Sequence, residues 1–218
     1  MSLIWGKTAA ANRGVGGRLE RVQVARRRAF WVLGVLIGSG ALFFQSTWMI
    51  GGSVHHNIQV AGMLMIFGAI LGRSWCSLYM GGNKTRELVH LGPYSISRNP
   101  LYGFSLMGVF GIGAQSGSAL LGIILCALAL AVFSLVIREE EALLTTAFGD
   151  SFLEYCRNTP RFGPRLANWR NSTKMTVSLQ AWHKTVREAL PFLLAFPAFA
   201  SIEFLQAHAI LPVLLRLP

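Results

Sequence analysis

The residues best suited to chemistry stand at the two ends of an uncharged stretch. Before it lies "HLGPYSISRNPLYG", residues 90–103, whose polar and aromatic members include His90, Tyr94, Arg98, Asn99 and Tyr102. After it come Arg138 and three consecutive glutamates, Glu139–Glu141. Guanidinium, carboxylate, imidazole and phenol groups gathered in one place form a polar pocket able to bind a charged small molecule.

An apolar helical hairpin is predicted between these two groups. Residues 101–137 carry no charged side chain and are too long for one membrane span. The stretch 113–118, "GAQSGS", should break them into two short antiparallel helices, with the glutamates ending the second. Asn99-Pro100 is a favourable start for the first helix, because Asn caps exposed amides and Pro suits the first helical position. The plainer alternative is that Asn99-Pro100 only starts the first helix and that the glutamates only end the second helix in water at the membrane interface.

Composition predicts one all-α unit, a polytopic integral membrane helical bundle. The 218 residues are 53% hydrophobic and only 13% charged, which is too apolar for an ordinary soluble domain. About five transmembrane helices are predicted, together with cytoplasmic interfacial helices. Besides the two helices of the hairpin, the predicted spans are Ala29–Ile50, Ile58 to about Tyr79 with Arg73 snorkelling to the interface, and Ala189–Leu215.

The basic residues predict the orientation of the bundle. Of the 20 lysines and arginines, 19 fall in segments 1–28, 73–98 and 138–187. By the positive-inside rule these segments face the cytoplasm, and the surplus that gives a net charge of +11 follows topology and lipid headgroups rather than nucleic acid. We therefore predict a multi-pass protein, in a bacterial inner membrane, with its site facing the cytoplasm and no nucleic-acid partner.

Several other features favour plain structural roles. Cys76, Cys126 and Cys156 form neither a disulfide framework nor a metal cluster, and no metal site is predicted. The pair His55-His56 falls in the predicted short outer turn. Glu203 is an intramembrane carboxylate and hence a candidate functional residue, but its own helix offers no basic partner.

Two kinds of sequence pattern predict packing surfaces. Three patterns, Gly34-x3-Gly38, Gly68-x3-Gly72 and Gly113-x3-Gly117, are typical of close helix–helix contacts in membranes. Residues 172–188 place Met175, Leu179, Trp182 and Val186 on one stripe, with basic residues largely off it. This amphipathic helix either lies on the membrane surface, beside the mouth of the pocket, or packs on the protein's own core.

The order of the motifs carries a resemblance. Gly92-Pro93-Tyr94, then Arg98-Asn99-Pro100-Leu101-Tyr102, an apolar hairpin, Glu139–Glu141 and Phe148-Gly149 resemble the isoprenylcysteine carboxyl methyltransferase and phospholipid methyltransferase superfamily of membrane enzymes. The resemblance covers about residues 58–164, which we predict as the methyltransferase core. Residues 1–57 then form an N-terminal basic segment with a first helix, and 165–218 an interfacial helix with a last one. Asn99 departs from the His that is usual in the carboxyl methyltransferases.

The resemblance implies S-adenosylmethionine as the cofactor. It implies a cofactor site made of Tyr94, Asn99, Pro100, Leu101, Tyr102, Arg138, Glu140 and Glu141. Candidate catalytic residues are Arg98, Glu139 and His90, the last two being the nearby groups that could act as a base.

The acceptor is predicted to be a membrane lipid or a lipidated small molecule. A phospholipid amine, a prenylcysteine-type carboxylate and a small hydrophobic thiol or acid all stay open. Two alternatives remain from other classes. One is a non-enzymatic membrane carrier or complex subunit, and the other is a sterol-reductase-like enzyme using NADPH, against which the short chain counts. The sequence does not indicate an oligomeric state.

Overall fold

The computed structural model describes residues 34, 42–48, 50–80, 88–171, 177 and 179–218, and this part of the chain is mainly helical. Its α-helices are α1 (Ser53–Tyr79), α2 (Pro93–Ile96), α3 (Pro100–Ala114), α4 (Ala119–Phe148), α5 (Asp150–Asn158), α6 (Leu179–Ala189) and α7 (Ala195–Ala207). Leu166–Asn168 and Leu190–Leu194 form 3-10 helices, and β1 (Phe44–Ser46) pairs with β2 (Leu215–Leu217). The basic segment 1–28 and most of the predicted span Ala29–Ile50 lie outside the described residues.

The predicted all-α membrane architecture is confirmed. Three described helical stretches are long and apolar enough to cross a membrane, namely α1, α4 and Trp182–Ala207. Helix α3 is apolar but has only 15 residues. Helix α1 begins at Ser53, before the predicted start at Ile58, and therefore includes the two histidines that the sequence placed in a turn.

Small residues let α1 and α3 approach each other closely. A Cβ added at Gly62 would lie 2.9 Å from the Gly111 carbonyl oxygen, and one added at Gly111 would lie 2.6 Å from the Gly62 carbonyl oxygen. One helical face of α1 also includes Gly68 and Gly72, which are covered by Met107 and Phe104 of α3. The prediction of a small-residue packing face on α1 is thus confirmed.

The hairpin is present, but its two helices differ in length. Helix α3 ends at Ala114, and α4 starts after Ser118, whose hydroxyl accepts a hydrogen bond from the Leu121 N–H at 3.2 Å. The prediction of two short helices holds for α3, with 15 residues, but was wrong for α4, which runs for 30 residues. The glutamates lie inside α4 and do not end it, since good helix formers such as Ala142, Leu143 and Leu144 follow them.

The C-terminal region differs from the single span predicted at Ala189–Leu215. Helix α6 packs along α1 and continues through Leu190–Leu194 into α7, which ends at Ala207. The chain then turns before Pro212, which cannot continue a helix, and enters β2. The described part of the predicted amphipathic helix is in contact with α1, with Trp182 and Val186 half-buried and Leu179 exposed. Residues 172–176 and 178 lie outside the described residues.

Arg73 does not snorkel to the interface as predicted. It is 8% exposed and lies inside the bundle, where its Nη1 donates to the Ser105 hydroxyl of α3. Its guanidinium carbon lies 6.0 Å from the centre of the Phe192 ring. A hydroxyl acceptor and an aromatic face thus take the place of water around this charge.

Four polar side chains form a far polar cluster at the end of the bundle away from residues 98–102: His55, Gln59, Gln115 and Glu203. His55 Nε2 lies 3.1 Å from Glu203 Oε1, and Gln59 Nε2 donates to the same oxygen at 3.3 Å. Gln115 Nε2 donates to the Gln59 carbonyl at 3.0 Å. Glu203, which lacked a basic partner in its own helix, therefore has one on α1.

Removing the carboxylate from this cluster should destabilise the protein. Glu203→Ala is expected to cost about 1–2 kcal/mol, because His55 and Gln59 lose an acceptor at a largely buried position. Thermal unfolding in detergent micelles measures the effect. Ser201→Ala is the matched control, because its hydroxyl bonds the Pro197 carbonyl within the same helix. Equal unfolding temperatures for both variants would show that the cluster adds nothing to stability.

Candidate active site

The segment before α3 is fixed by a network that starts at Gly92. Gly92 has φ 58° and ψ −131°, a conformation suited to glycine, and its N–H donates to the Arg170 carbonyl at 2.7 Å. The Ser95 hydroxyl donates to the Gly92 carbonyl at 2.6 Å and accepts the Arg170 N–H at 3.0 Å. Helix α2 is thereby tied to the loop at Arg170, and it leads directly into residues 98–102, the motif turn.

Two arginines hold Glu141 above the motif turn. Arg98 Nη1 lies 3.3 Å from Glu141 Oε1, and Arg161 Nη2 lies 2.7 Å from Glu141 Oε2. The side chain of Glu141 is 19% exposed, so water screens these contacts only in part. Because α4 continues past the glutamates, the Glu141 carboxylate reaches Arg98. It thereby joins residues 90–103 to the glutamates, as the sequence led us to expect.

The backbone around Arg161 supports the motif turn as well. The Arg161 carbonyl accepts the Asn99 amide at 3.3 Å and the Ser97 hydroxyl at 3.5 Å. The Arg98 N–H donates to the Pro160 carbonyl at 2.8 Å. Asn99 does precede α3, and Pro100 is its first residue, but the Asn99 side chain does not cap the helix. Its amide is committed to the neighbouring segment, which corrects the predicted capping bond.

Helix α5 contacts both α2 and the motif turn through hydrogen bonds. The Tyr155 hydroxyl donates to the Tyr94 carbonyl at 2.7 Å, and Arg98 Nη1 donates to the Cys156 sulfur at 2.8 Å. Burial raises the pKa of the Tyr155 phenol, against the opposing effect of the Arg98 charge. Tyr155 therefore keeps its proton at neutral pH and remains a donor.

A cavity of about 620 Å³ lies beside α2 and α5, within the range of roughly 300–1,000 Å³ that is common for small-molecule sites. Its polar lining includes His90, Ser95, Tyr155, Asn158 and Arg170. It shares Ser95 and Tyr155 with the hydrogen bonds that fix α2, the helix that leads into the motif turn. The described residues 98–102 and 138–141 are not part of its lining. His90 is exposed, and its Nδ1 lies 3.0 Å from the Leu88 carbonyl oxygen.

The remaining predicted residues of the motif turn and of α2 are largely enclosed. Pro100 is buried, and Tyr102 is 4% exposed with its ring 5.2 Å from that of Phe133 on α4, measured between centres. Tyr94 and Leu101 are half-buried. The turn is therefore part of the α3–α4 core and leaves only part of its surface for a ligand.

The four charged residues at 138–141 do not all reach the motif turn. Glu141 follows Phe133 and Ile137 on the buried face of α4, at helical spacing. Glu140 is half-buried next to it, whereas Arg138 and Glu139 are exposed on the other face. Within the described residues, no hydrogen bond or ion pair joins Arg138 or Glu139 to the motif turn.

Arg161, Tyr155 and Cys156 were not among the residues predicted for the site. They belong to the segment "YCRNTPR", residues 155–161, which lies within the stretch 58–164 covered by the resemblance but was given no role. A basic residue directly after Thr159-Pro160 was the available signal, because a proline limits the backbone and can fix the direction of the next side chain.

The comparison with protein families bears on these same residues. The phospholipid methyltransferase family model matches residues 41–151, about half of the chain, and the match includes the motif turn and all three glutamates. The chain belongs to the phospholipid methyltransferase family. Membership in this family supports a membrane methyltransferase and agrees with the resemblance seen in the motifs.

Two relatives of this chain have names that refer to metal resistance and not to methyl transfer. The cobalt-zinc-cadmium resistance protein CzcN of Cupriavidus metallidurans is 34% identical over 181 residues, which is 83% of each chain. The nickel-cobalt-cadmium resistance protein NccN of Alcaligenes xylosoxydans xylosoxydans is 35% identical over 161 residues, or 74% of this chain and 75% of the relative. No solved structure matches the chain significantly.

Proposed function

We propose that the protein transfers a methyl group from S-adenosylmethionine to a lipid or lipid-like acceptor at the membrane interface. The observation that carries this proposal is the Arg98–Glu141 contact, which joins the two separated motifs of the family at one end of an apolar hairpin. Methyl transfer is an in-line displacement, so a protein accelerates it chiefly by holding two reactants in line and excluding water. A rigid turn at the end of membrane helices suits that task.

The residues at this end of the bundle fit the proposed cofactor. When bound, S-adenosylmethionine supplies an electrophilic methyl group, and its adenine, ribose and amino-acid groups all need hydrogen-bonding partners. The cavity offers such partners in Asn158, Asn168 and Arg170. Its volume of about 620 Å³ is sufficient for a molecule of that size.

The motif residues receive more specific proposed roles. Asn99, Pro100 and Leu101 shape the wall of the cofactor site, and Glu140 binds a ribose hydroxyl or the cofactor ammonium. Tyr94 or Tyr102 lies near the positive sulfonium, where an aromatic face stabilises a cation.

The charged residues divide by exposure. Arg98, half-buried in the network, is the proposed partner of a carboxylate in preference to the exposed Arg138. An uncharged amine acceptor would need a base, whereas a carboxylate acceptor would not. His90 is then the preferred candidate over Glu139, because His90 lines the cavity.

A membrane acceptor follows from the surroundings of the site. The motif turn opens between helices whose outer surfaces are apolar, with Leu64, Leu71 and Leu135 among the exposed side chains. A lipid could reach the site sideways while a soluble cofactor enters from the water. We propose that this end faces the cytoplasm of a bacterial inner membrane and that residues 58–164 form the methyltransferase core. The acceptor is a phospholipid amine, a prenylcysteine-type carboxylate or a small hydrophobic thiol or acid.

Calorimetry with S-adenosylhomocysteine tests the cofactor site. The wild-type protein should bind it, and Asn99→Ala and Glu140→Ala should each bind about tenfold more weakly. Glu140→Ala loses the proposed hydrogen bond to the cofactor, and Asn99→Ala loses the bond to the Arg161 carbonyl that holds the wall of the site, each worth roughly 1–1.5 kcal/mol. Ser134→Ala is a control on α4, since its hydroxyl bonds the Leu130 carbonyl of the same helix. Wild-type affinity in both site variants would remove these residues from the site.

The names of the relatives favour a second candidate, a non-enzymatic subunit of a metal-resistance assembly. Titration of the wild-type protein separates the candidates. Binding of S-adenosylhomocysteine but not NADPH supports the methyltransferase, binding of NADPH supports a reductase, and binding of neither supports the subunit.

A further inference from the structure

Glu141 is contacted by more positive charge than it can balance. Its two oxygens each face a guanidinium, Arg98 at 3.3 Å and Arg161 at 2.7 Å. Arginine stays charged in proteins, so these three side chains together carry one unit of positive charge. The contacts among these three side chains therefore leave one positive charge, which suits the binding of an added anion.

The two arginines are held differently. Arg161 makes the closer contact, and its carbonyl accepts hydrogen bonds from Asn99 and Ser97, so its backbone is fixed against the motif turn. Arg98 makes the longer contact and shares the same Nη1 with the Cys156 sulfur. A thiol is a weak acceptor, and exchanging it for a carboxylate or phosphate oxygen would give a charge-assisted hydrogen bond.

We propose that Arg161 is a positioning residue that takes up Glu141 and so keeps the Arg98 guanidinium available for a carboxylate or phosphate group of a bound molecule. This inference rests on the proposed function, in which that molecule is either the cofactor or the acceptor. Without Arg161, Glu141 would turn both oxygens to Arg98, form a bidentate pair and neutralise it. The added anion would then meet no net charge.

The two sources of the anion are separated by paired ligands. S-adenosylhomocysteine has a carboxylate, and 5′-methylthioadenosine shares its nucleoside but lacks that group. Phosphatidate has a phosphate, and diacylglycerol shares its chains but lacks the charge. Calorimetry follows the first pair, and native mass spectrometry of the full-length protein in detergent follows the second.

The variant is Arg161→Met, with Arg161→Lys as the conservative replacement and Arg157→Met as the control. Arg157 is an exposed arginine on α5, so its loss tests a change of net charge alone. If the anion is the cofactor carboxylate, Arg161→Met should lower the affinity for S-adenosylhomocysteine about tenfold and leave the affinity for 5′-methylthioadenosine unchanged. If the anion belongs to the acceptor, the affinity for phosphatidate should fall by a similar factor and the affinity for diacylglycerol should not change. Arg161→Lys should restore most of the lost affinity, because a single charged contact is preserved.

Two results would overturn the inference. One is an Arg161→Met variant that keeps wild-type affinity for both charged ligands. The other is equal weakening of the charged and uncharged ligand of each pair, which would show a general structural role. Failure of the wild-type protein to bind either nucleoside defeats the proposed function instead, and the phosphatidate pair then decides the role of Arg161 alone.

Discussion

Replacing Gly92 with alanine is expected to destabilise the protein by about 2–5 kcal/mol and to abolish binding of S-adenosylhomocysteine. The backbone at Gly92, with φ 58° and ψ −131°, is strained for any residue with a Cβ. The new methyl group would also overlap the Tyr79 ring. Relief of that overlap must move Gly92 or Tyr79, and a shift of Gly92 breaks its bond to the Arg170 carbonyl. Thermal unfolding and calorimetry measure the two effects.

Gly149 provides a close control for this prediction. Its backbone has φ 54° and ψ −128°, almost the same as at Gly92, but an added Cβ would meet nothing within 4 Å. Gly149→Ala should therefore show the conformational strain alone, about 1–3 kcal/mol. Adding Tyr79→Ala to Gly92→Ala should recover the difference. Equal losses in the two glycine variants would contradict a role for the Tyr79 contact.

Cysteine labelling in intact cells should give an all-or-none result for the proposed orientation. Ser151→Cys, exposed on α5, is expected to resist a membrane-impermeant maleimide until the cells are permeabilised. Ser53→Cys, exposed at the start of α1, is expected to react at once. The reason is that α1 is long enough to span the bilayer and that the described basic residues Arg98, Arg157 and Arg161 lie at the Ser151 end.

The wild-type protein is the control for that labelling. Cys76 is fully buried, Cys126 is half-buried on the apolar helix α4, and Cys156 is half-buried against Arg98, so the three native cysteines should contribute little background. Labelling of Ser151→Cys in intact cells, with Ser53→Cys protected, would invert the topology and place the motif turn on the outside.

The hairpin was predictable because its signal is local. An uncharged run with a Gly- and Ser-rich interruption shows where two apolar helices must turn, whatever surrounds them. The extent of α4 could not be predicted, because a run of glutamates can either end a helix or continue it. The far polar cluster could not be predicted either, since His55 and Glu203 are 148 positions apart, His55 was expected in a turn, and Glu203 has no basic partner in its own helix.

The candidate site was predictable only in outline. The order of the motifs indicated that Arg98 and the glutamates would meet, and the structure brings Arg98 to Glu141. Which of three adjacent glutamates would face inward depends on the helical phase of α4, which the sequence did not fix on its own. Arg161 was missed because it acts through a bend after Pro160 and shares no periodic pattern with its partners.

The unequal hairpin also has a consequence for the surrounding membrane. Helix α4, with 30 residues, is about 45 Å long, whereas α3, with 15, is about 22 Å long and falls short of the roughly 30 Å hydrocarbon thickness. Such a hydrophobic mismatch is met by local thinning of the bilayer. The leaflet beside α3 is therefore expected to dip towards the motif turn, which carries lipid headgroups to the level of Arg98 without any lipid leaving the membrane.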